Sequence, residues 1–153
     1  MKKIASFTVD HRFIKPGIYV SRIDDDITTY DLRTRKPNAD DFMDDSTMHT
    51  LEHLFATYVR NSDIGSRVIY FGPMGCATGF YLLVRNADNG ETLEIVKDVL
   101  KKVISHTGEV FGNSEIECGN YKTLKLSAAV SEAKRFLNAL ETNKNIDFSY
   151  PKE

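Results

Sequence analysis

The stretch from Met48 to Phe55 constrains the fold more than any other part of the chain. It reads Met-His-Thr-Leu-Glu-His-Leu-Phe and places His49 and His53 four residues apart, with Glu52 between them. Residues four apart on an α-helix lie one above the other, so both imidazole rings can address a single metal ion. Glu52 lies close enough to act as a base. We therefore predict a helix that carries a metal site beside its apolar face.

The neighbouring residues predict that this helix is amphipathic and extends over residues 47–61. Capping side chains precede it at residues 44–47, and apolar residues recur at helical spacing. The alternative is a pair of core-edge histidines with hydrogen-bonded rings, which explains one histidine better than two beside a glutamate. His-x-x-Glu-His is also the inverted form of the zincin motif, in which the histidines hold the metal and the glutamate handles protons.

Both cysteines lie next to glycines. Cys76 lies in the turn Gly-Pro-Met-Gly-Cys-Ala-Thr-Gly at residues 72–79, and Cys118 directly precedes Gly119. Cys76 is either a small apolar side chain that fills a corner or an activated thiol, and the sequence leaves both interpretations open. A thiolate at Cys118 would complete a His₂Cys metal set with an open fourth position, which is typical of catalytic sites.

The order of the predicted elements favours one α+β domain over residues 1–153. Strand-like runs at 6–9, 18–23 and 27–33 precede the first helix, and runs at 67–71 and 80–85 precede helices at 91–106 and 127–141. Short turns between the strands favour a mainly antiparallel β-sheet with helices packed on one face. The other face of the sheet is either solvated or buried against a second copy in a homodimer. Residues 143–153 are expected to form a loose tail.

Charge and composition exclude several functions. A net charge of −2 on 153 residues lacks the basic excess of nucleic-acid-binding proteins, and no signal peptide or membrane-spanning run is present. We expect a cytoplasmic protein without a nucleic-acid or membrane partner. The acidic run Asp24 to Asp26 favours a solvated turn over a cation site. The basic run Arg33 to Asn38 favours a solvated loop, although Arg33 could reach an anion or a thiolate.

Several segments, found in order, resemble the S-ribosylhomocysteine lyase family, the autoinducer-2 synthases also called LuxS. They are His-Thr-Leu-Glu-His-Leu at 49–54, Gly-Pro-Met-Gly-Cys-x-Thr-Gly-Phe-Tyr at 72–81, Glu-Cys-Gly-Asn-Tyr at 117–121, Ser-Phe-x-x-Asp-His at 6–11, and Tyr-Asp-Leu-Arg at 30–33 followed by Pro-Asn at 37–38. The resemblance covers nearly the whole chain. Many members carry Asp, Arg or Gln, and His where this chain has Tyr70, Ala77 and Leu124.

The resemblance implies a homodimer with two sites at the interface, each holding one divalent ion. That ion is natively ferrous iron, replaceable by zinc or cobalt, and no organic cofactor is required. The implied substrate is S-ribosylhomocysteine, cleaved to homocysteine and 4,5-dihydroxy-2,3-pentanedione, the autoinducer-2 precursor. The matching residues are His49, His53 and Cys118 as metal ligands, Cys76 and Glu52 as the catalytic acid–base pair, and Ser6, His11 and Arg33 as substrate-binding residues.

These residue types suit such a reaction. A thioether bond breaks by β-elimination once a ketone stands at C3 of the sugar, so the carbonyl must first move from C1 to C3. The metal supplies Lewis acidity, and Cys76 and Glu52 can move the protons. Two other functions remain open: a metallopeptidase in which Glu52 activates water, and a non-enzymatic metal-binding domain. The first usually needs a carboxylate ligand and a large cleft, and the second has no use for Cys76 or Glu52.

Overall fold

The chain forms one four-stranded sheet and three α-helices. The computed structural model describes all residues from Met1 to Glu153. In chain order the elements are β1 (Gly17–Asp24), β2 (Ile27–Arg33), α1 (Asp45–Arg60), β3 (Val68–Pro73), β4 (Gly79–Arg85), α2 (Asn89–Ile104) and α3 (Leu126–Thr142). This order confirms the predicted α+β fold and the predicted helices to within about two residues.

The predicted strand at residues 6–9 is wrong. Residues Ala5–Phe7 instead form a single 3₁₀ turn, in which the amide of Thr8 donates to the carbonyl of Ala5 at 3.1 Å. The Thr8 hydroxyl donates to the same carbonyl at 2.6 Å. The short β-branched and aromatic run therefore closes its hydrogen bonds locally, because a threonine side chain offers the backbone an alternative to sheet pairing.

The sheet is antiparallel throughout, in the order β1-β2-β4-β3. Its register pairs Arg33, the last residue of β2, with Gly79, the first residue of β4. A Cβ atom on Gly79 would lie 2.6 Å from the carbonyl oxygen of Leu32 and 3.1 Å from Cα of Arg33, so only glycine allows this approach. The end of β2 is thereby held against the turn that contains Cys76.

The three helices pack together on one face of the sheet. Alternate strand residues point to opposite faces, so one set enters this core and the other set faces away. The core includes Ile18, Tyr30, Leu32, Phe71, Phe80 and Leu82 from the sheet, and Leu51, Leu54, Phe55, Val96, Leu100, Ala133 and Phe136 from the helices. The opposite set in β1 and β2 includes Tyr19, Asp31 and Arg33, which are also buried. No helix combines the length and apolar character needed to cross a bilayer.

The prediction of a loose C-terminal tail is wrong. The carbonyl of Phe148 accepts a hydrogen bond from the amide of Val20 at 2.8 Å, so the tail attaches to β1. The ring of Tyr150 stacks on that of Tyr19 with centroids 4.9 Å apart. Ile146 and Phe148 pack against the core. The tail is ordered because its apolar and aromatic side chains find partners that are distant in sequence.

The basic run after β2 is not the solvated loop that its sequence favoured. Arg33 is 2% exposed, and Arg35 donates to the buried carboxylate of Glu132 in α3 at 2.7 Å. Arg35 also pairs with Asp41 at 2.7 Å. Arg33 is buried and the side chain of Arg35 is only 14% exposed, because each meets a carboxylate that compensates its charge. By contrast, the turn predicted at Asp24 to Asp26 is confirmed between β1 and β2.

Candidate metal and thiol site

Helix α1 presents the two histidines at the border of the core. Asp44 caps the N-terminus of the helix, and its carboxylate accepts a hydrogen bond from the amide of Thr47 at 2.7 Å. Hydrogen bonds from Thr47 hold the pKa of Asp44 below its ordinary value. The apolar face of the helix is buried in the core, and this burial fixes its rotation. His49, Glu52 and His53 are consequently half-buried on an adjoining face.

Cys118 joins these histidines from a loop that is distant in sequence. One ligand atom from each of His49, His53 and Cys118 lies within 4.8 Å of the other two. The Sγ atom of Cys118 is 3.3 Å from Nε2 of His49, and the two imidazole centroids are 4.6 Å apart. The structure thus brings together the three residues predicted as metal ligands.

Hydrogen bonds at the outer nitrogens define the tautomers of both rings. Nδ1 of His53 lies 2.7 Å from the carbonyl oxygen of Phe111, which can only accept, so this nitrogen carries the proton. Nδ1 of His49 lies 2.6 Å from Oγ1 of Thr123, which itself donates to the carbonyl of Asn120 at 3.0 Å. The hydroxyl therefore accepts from His49. Each ring keeps the lone pair of Nε2 for a metal.

The donor set fits a divalent transition metal. Bond lengths of about 2.3 Å to sulfur and about 2.1 Å to nitrogen place neighbouring ligands of a tetrahedral ion roughly 3.5 Å apart, close to the observed separation of Cys118 and His49. Burial, together with the neighbouring His53, lowers the pKa of His49 and favours the neutral ring that binds metal. The His₂Cys chemistry suits ferrous iron and zinc alike.

Glu52 lines a cavity of about 300 Å³ together with His49. Asn120, Thr123 and Pro73 complete much of its wall. The carboxylate of Glu52 makes no hydrogen bond or ion pair with the rest of the chain, so its oxygens are available to a bound molecule. This arrangement matches the placement expected of a base beside a metal.

Cys76 lines a second cavity, of about 340 Å³, together with all three predicted substrate-binding residues, Ser6, His11 and Arg33. Pro73 lines both cavities, so the one with Cys76 and the one with Glu52 are neighbours. Cys76 is a free, exposed thiol. The interpretation of this residue as a buried corner filler is therefore excluded.

The thiol is held by two polar groups. Sγ of Cys76 lies 3.0 Å from Oγ1 of Thr78 and 3.9 Å from a terminal nitrogen of Arg33. Arg33 also donates to Oγ1 of Thr78 at 2.8 Å, which leaves the hydroxyl proton free to point at the sulfur. A guanidinium cation and a hydroxyl group therefore both lie within contact distance of the sulfur.

Arg33 is itself anchored by a buried carboxylate. It donates to both oxygens of Asp31, at 3.1 and 2.6 Å, and the side chains are 3% and 1% exposed. Burial opposes the charge of the guanidinium, but the carboxylate more than offsets this, and the net effect raises the pKa of Arg33. Arg33 therefore stays cationic beside Cys76 at every pH at which the protein is folded.

The sequence model of the S-ribosylhomocysteinase (LuxS) family matches residues 4–147. The chain belongs to the LuxS family. Three relatives named S-ribosylhomocysteine lyase align over 99% of this chain. They come from Borreliella afzelii, with 38% identity over all of that protein, and from Finegoldia magna and Desulfotalea psychrophila, with 40% and 42% identity over 99% of theirs.

None of the three departures named above falls on a metal ligand, on Cys76 or on Glu52. Ala77 follows Cys76 and has a positive φ of 61°, which costs about 1 kcal/mol for a residue with a Cβ atom. Tyr70 is 51% exposed on β3. Leu124 follows Thr123 and packs against the core. The backbone of the turn that holds Cys76 is therefore strained at Ala77.

Sequence reasoning missed four contributors to this LuxS site. Asp31 and Thr78 lie within the motifs that carry the family resemblance, so their positions were visible although their contacts were not. Thr123 and the carbonyl of Phe111 have no motif, and a backbone carbonyl leaves no trace in a sequence. Only the tertiary structure brings these groups to the imidazole rings.

Proposed function

We propose that this chain, one domain of residues 1–153, is an S-ribosylhomocysteine lyase that acts as a homodimer and uses ferrous iron. It cleaves the thioether of S-ribosylhomocysteine to homocysteine and 4,5-dihydroxy-2,3-pentanedione. One observation carries the proposal. The His₂Cys cluster lies beside one cavity, the exposed thiol of Cys76 and the buried Arg33 line a second cavity, and Pro73 belongs to the wall of both. The full-length relatives of this name support it.

His49, His53 and Cys118 hold the ion. When bound, a divalent metal supplies Lewis acidity toward the oxygens of the sugar. Three protein ligands leave a position for the substrate, as expected of a catalytic rather than a structural site. Ferrous iron follows from the family resemblance, and zinc or cobalt suits the same donors. A cytoplasmic location suits the two free cysteines, because a reducing compartment keeps thiols available.

Cys76 and Glu52 move the protons. Each carbonyl shift takes a proton from one sugar carbon and returns one to its neighbour, with no net oxidation. Elimination then takes a proton from C4 while the bond from C5 to sulfur breaks. The sulfur leaves as a thiolate and takes up a proton, and the remaining enol becomes the diketone. A thiolate held by Arg33 and an unpaired carboxylate are the two bases available to these steps.

Ser6, His11 and Arg33 bind the substrate from the cavity that contains Cys76. Nδ1 of His11 lies 2.9 Å from the carbonyl oxygen of Val9, so this nitrogen is a donor and Nε2 is left to accept from a hydroxyl group. Ser6 offers a hydroxyl as donor and acceptor. A sugar with several hydroxyl groups matches such a lining.

A second copy of the chain completes the site. Ile4, Phe7 and Tyr70 are 58%, 69% and 51% exposed, although such side chains gain free energy when they are buried. Phe7 also lines the cavity that contains Cys76. A partner subunit that covers Phe7 would therefore shield the bound substrate from water, and the proposal places the two active sites at that interface.

The test is to incubate anaerobically purified, iron-loaded protein with S-ribosylhomocysteine and to quantify homocysteine by chromatography. The variants are Cys76→Ser and Glu52→Gln, with Glu94→Gln as a matched control, because Glu94 is a largely exposed carboxylate on α2. We expect homocysteine from the unmodified protein and from Glu94→Gln. The Cys76 and Glu52 variants should retain one metal per chain, measured by elemental analysis, and lose turnover.

Each outcome decides part of the proposal. Normal turnover by Cys76→Ser or Glu52→Gln would remove that residue from the acid–base pair. No homocysteine from fully metal-loaded, unmodified protein would refute the lyase activity, and peptide hydrolysis would then be assayed on the same samples. Sedimentation of the protein as a monomer at assay concentration, with full activity, would refute the homodimer.

A further inference from the structure

The C-terminal tail reaches the interior of the site through one side chain. The Tyr150 hydroxyl donates to Oδ2 of Asp31 at 2.7 Å, and the two residues are 119 positions apart in the chain. The tail is held there by the stack of Tyr150 on Tyr19 and by the backbone hydrogen bond from Val20 to Phe148. Ring stacking on Tyr19 and the backbone hydrogen bond at Phe148 therefore both hold Tyr150 in position.

Asp31 links this hydroxyl to the arginine of the site. Its Oδ2 atom accepts from Tyr150 and also from Arg33 at 2.6 Å, while Oδ1 accepts from Nε of Arg33 at 3.1 Å. Asp31 is 1% exposed, so water does not replace a lost protein donor there. The orientation of the carboxylate, and with it the plane of the guanidinium, depends on these three hydrogen bonds.

The other edge of the guanidinium holds the thiol. One terminal nitrogen of Arg33 donates to Thr78 at 2.8 Å and lies 3.9 Å from Sγ of Cys76. Cys76 and Thr78 are in turn 3.0 Å apart. Tyr150, Asp31, Arg33 and Cys76 therefore form an unbroken series of polar contacts from the tail to the reactive sulfur.

We infer that Tyr150 is a positioning residue for Cys76, acting through Asp31 and Arg33. The inference rests on the proposed lyase function, in which the Cys76 thiolate moves protons. Tyr150 lies outside the cavity that Cys76 lines and is assigned no contact with the substrate. Its role is to hold the carboxylate of Asp31 so that Arg33 keeps one edge against the thiol.

Loss of the Tyr150 hydroxyl weakens the interaction of Arg33 with the sulfur of Cys76 in two ways that act in the same direction. Asp31 and Arg33 gain freedom to rotate, so the guanidinium spends less time beside the sulfur. Asp31 also carries more of its negative charge uncompensated, which reduces the net positive field at Cys76. Burial and the adjacent carboxylate raise the pKa of Tyr150, so the hydroxyl stays protonated and remains a donor throughout the working range.

Other titratable groups also face Cys76. They are Arg33, His11 and Tyr81, which share its cavity. Burial raises the pKa of Tyr81, so this phenol stays neutral. All three are present in every variant described below. A difference between variants in the pH profile of Cys76 therefore reports the lost hydroxyl rather than these groups.

The test compares Tyr150→Phe with Tyr19→Phe in the full-length, metal-loaded protein. The Tyr19 hydroxyl donates to the carbonyl of Lys15 at 2.7 Å, so the control removes an equally short hydrogen bond from the same aromatic stack, outside the series. Alkylation of Cys76 by iodoacetamide is followed by peptide mass spectrometry across a range of pH. Cys118 in the same digest is the internal control, and thermal unfolding confirms that both variants are folded.

We expect Tyr150→Phe to slow alkylation of Cys76 at neutral pH by about threefold to tenfold, and to move the midpoint of its pH profile upward. Tyr19→Phe should match the unmodified protein. With S-ribosylhomocysteine, Tyr150→Phe should lower kcat by a similar factor and raise KM by a smaller one, because the hydroxyl affects substrate binding only through Arg33.

The alkylation result stands apart from the lyase activity. Equal alkylation profiles for the two folded variants would overturn the inference, even if the protein is an active lyase. So would an equal slowing by both variants, because it would reflect a general loosening of the stack. A selective change at Cys76 in a protein that releases no homocysteine would support the contact series and refute the proposed function.

Discussion

Thr123→Val tests the orientation of the metal ligands. The hydroxyl of Thr123 accepts from Nδ1 of His49 at 2.6 Å and donates to the carbonyl of Asn120 at 3.0 Å. The amide of Asn120 lies 3.4 Å from Sγ of Cys118. One hydroxyl therefore joins the ring of His49 to the loop that carries the third ligand. Valine keeps the shape of threonine and removes this connection.

The expected loss follows from the environment of His49. An imidazole N–H left without an acceptor costs about 1–3 kcal/mol when it is buried. His49 is only half-buried, so water recovers part of this cost and about 1–2 kcal/mol remains. That range corresponds to a metal affinity about 5-fold to 30-fold weaker. Replacements of similar second partners of metal-bound histidines cost roughly 10-fold to 100-fold.

The assay is anaerobic competition for zinc against a colour-changing chelator at fixed pH. Thr123→Ser is the matched control because it keeps the hydroxyl and should bind within about twofold of the unmodified protein. Thermal unfolding without metal should confirm that both variants are folded, with a lower midpoint for Thr123→Val because it loses two hydrogen bonds. A folded Thr123→Val protein that binds zinc as tightly as Thr123→Ser would refute the argument that this hydroxyl orients His49.

Three further predictions concern the framework of the site. Gly112 has a φ of +72°, and in Gly112→Ala the new Cβ atom would lie 3.0 Å from Nδ1 of His53. Zinc affinity should therefore fall about tenfold in the same competition assay. Unchanged affinity would show that the loop moves without disturbing His53. Glu132→Gln removes the buried carboxylate that pairs with Arg35 and should lower the free energy of unfolding, measured in urea, by about 2–3 kcal/mol. A loss below about 0.5 kcal/mol would contradict a stabilising role for this ion pair. Asp44→Ala removes the cap of α1 and should cost about 1 kcal/mol at neutral pH. The pKa of Asp44 is lowered in the folded state, so its contribution is present above about pH 4 and is lost as the pH falls through the folded value. The difference in thermal unfolding between the variant and the unmodified protein should therefore shrink as the pH falls below about 4, and a difference that does not shrink would contradict this linkage.

Local patterns accounted for most of the fold. Helix α1 was predicted from its apolar spacing and capping residues, which act within one or two turns of the chain. The hairpins of β1 with β2 and of β3 with β4 follow from strand-like runs joined by short turns. The run at residues 6–9 shows where such reasoning fails, because β-branched character without a partner strand does not decide between a strand and a turn.

Some features of the candidate site could also be predicted from local sequence patterns, and others could not. His49, Glu52 and His53 share one helical face, so their proximity was readable from spacing alone. Cys76 was visible as a cysteine in a glycine turn, but its exposure and its contact with Arg33 were not. The family resemblance named the remaining residues, and the structure brings Ser6, His11 and Arg33 to the cavity of Cys76.

The sequence by itself determined which residue types are present and which of them lie within one turn of each other. Tertiary structure alone decided that Cys118 meets His49 across 69 residues, that Arg33 meets Cys76 across 43, and that Tyr150 meets Asp31 across 119. The physical reason is that periodicity reports only local geometry, whereas these contacts form where packing of the whole chain brings distant polar side chains together and limits their access to water.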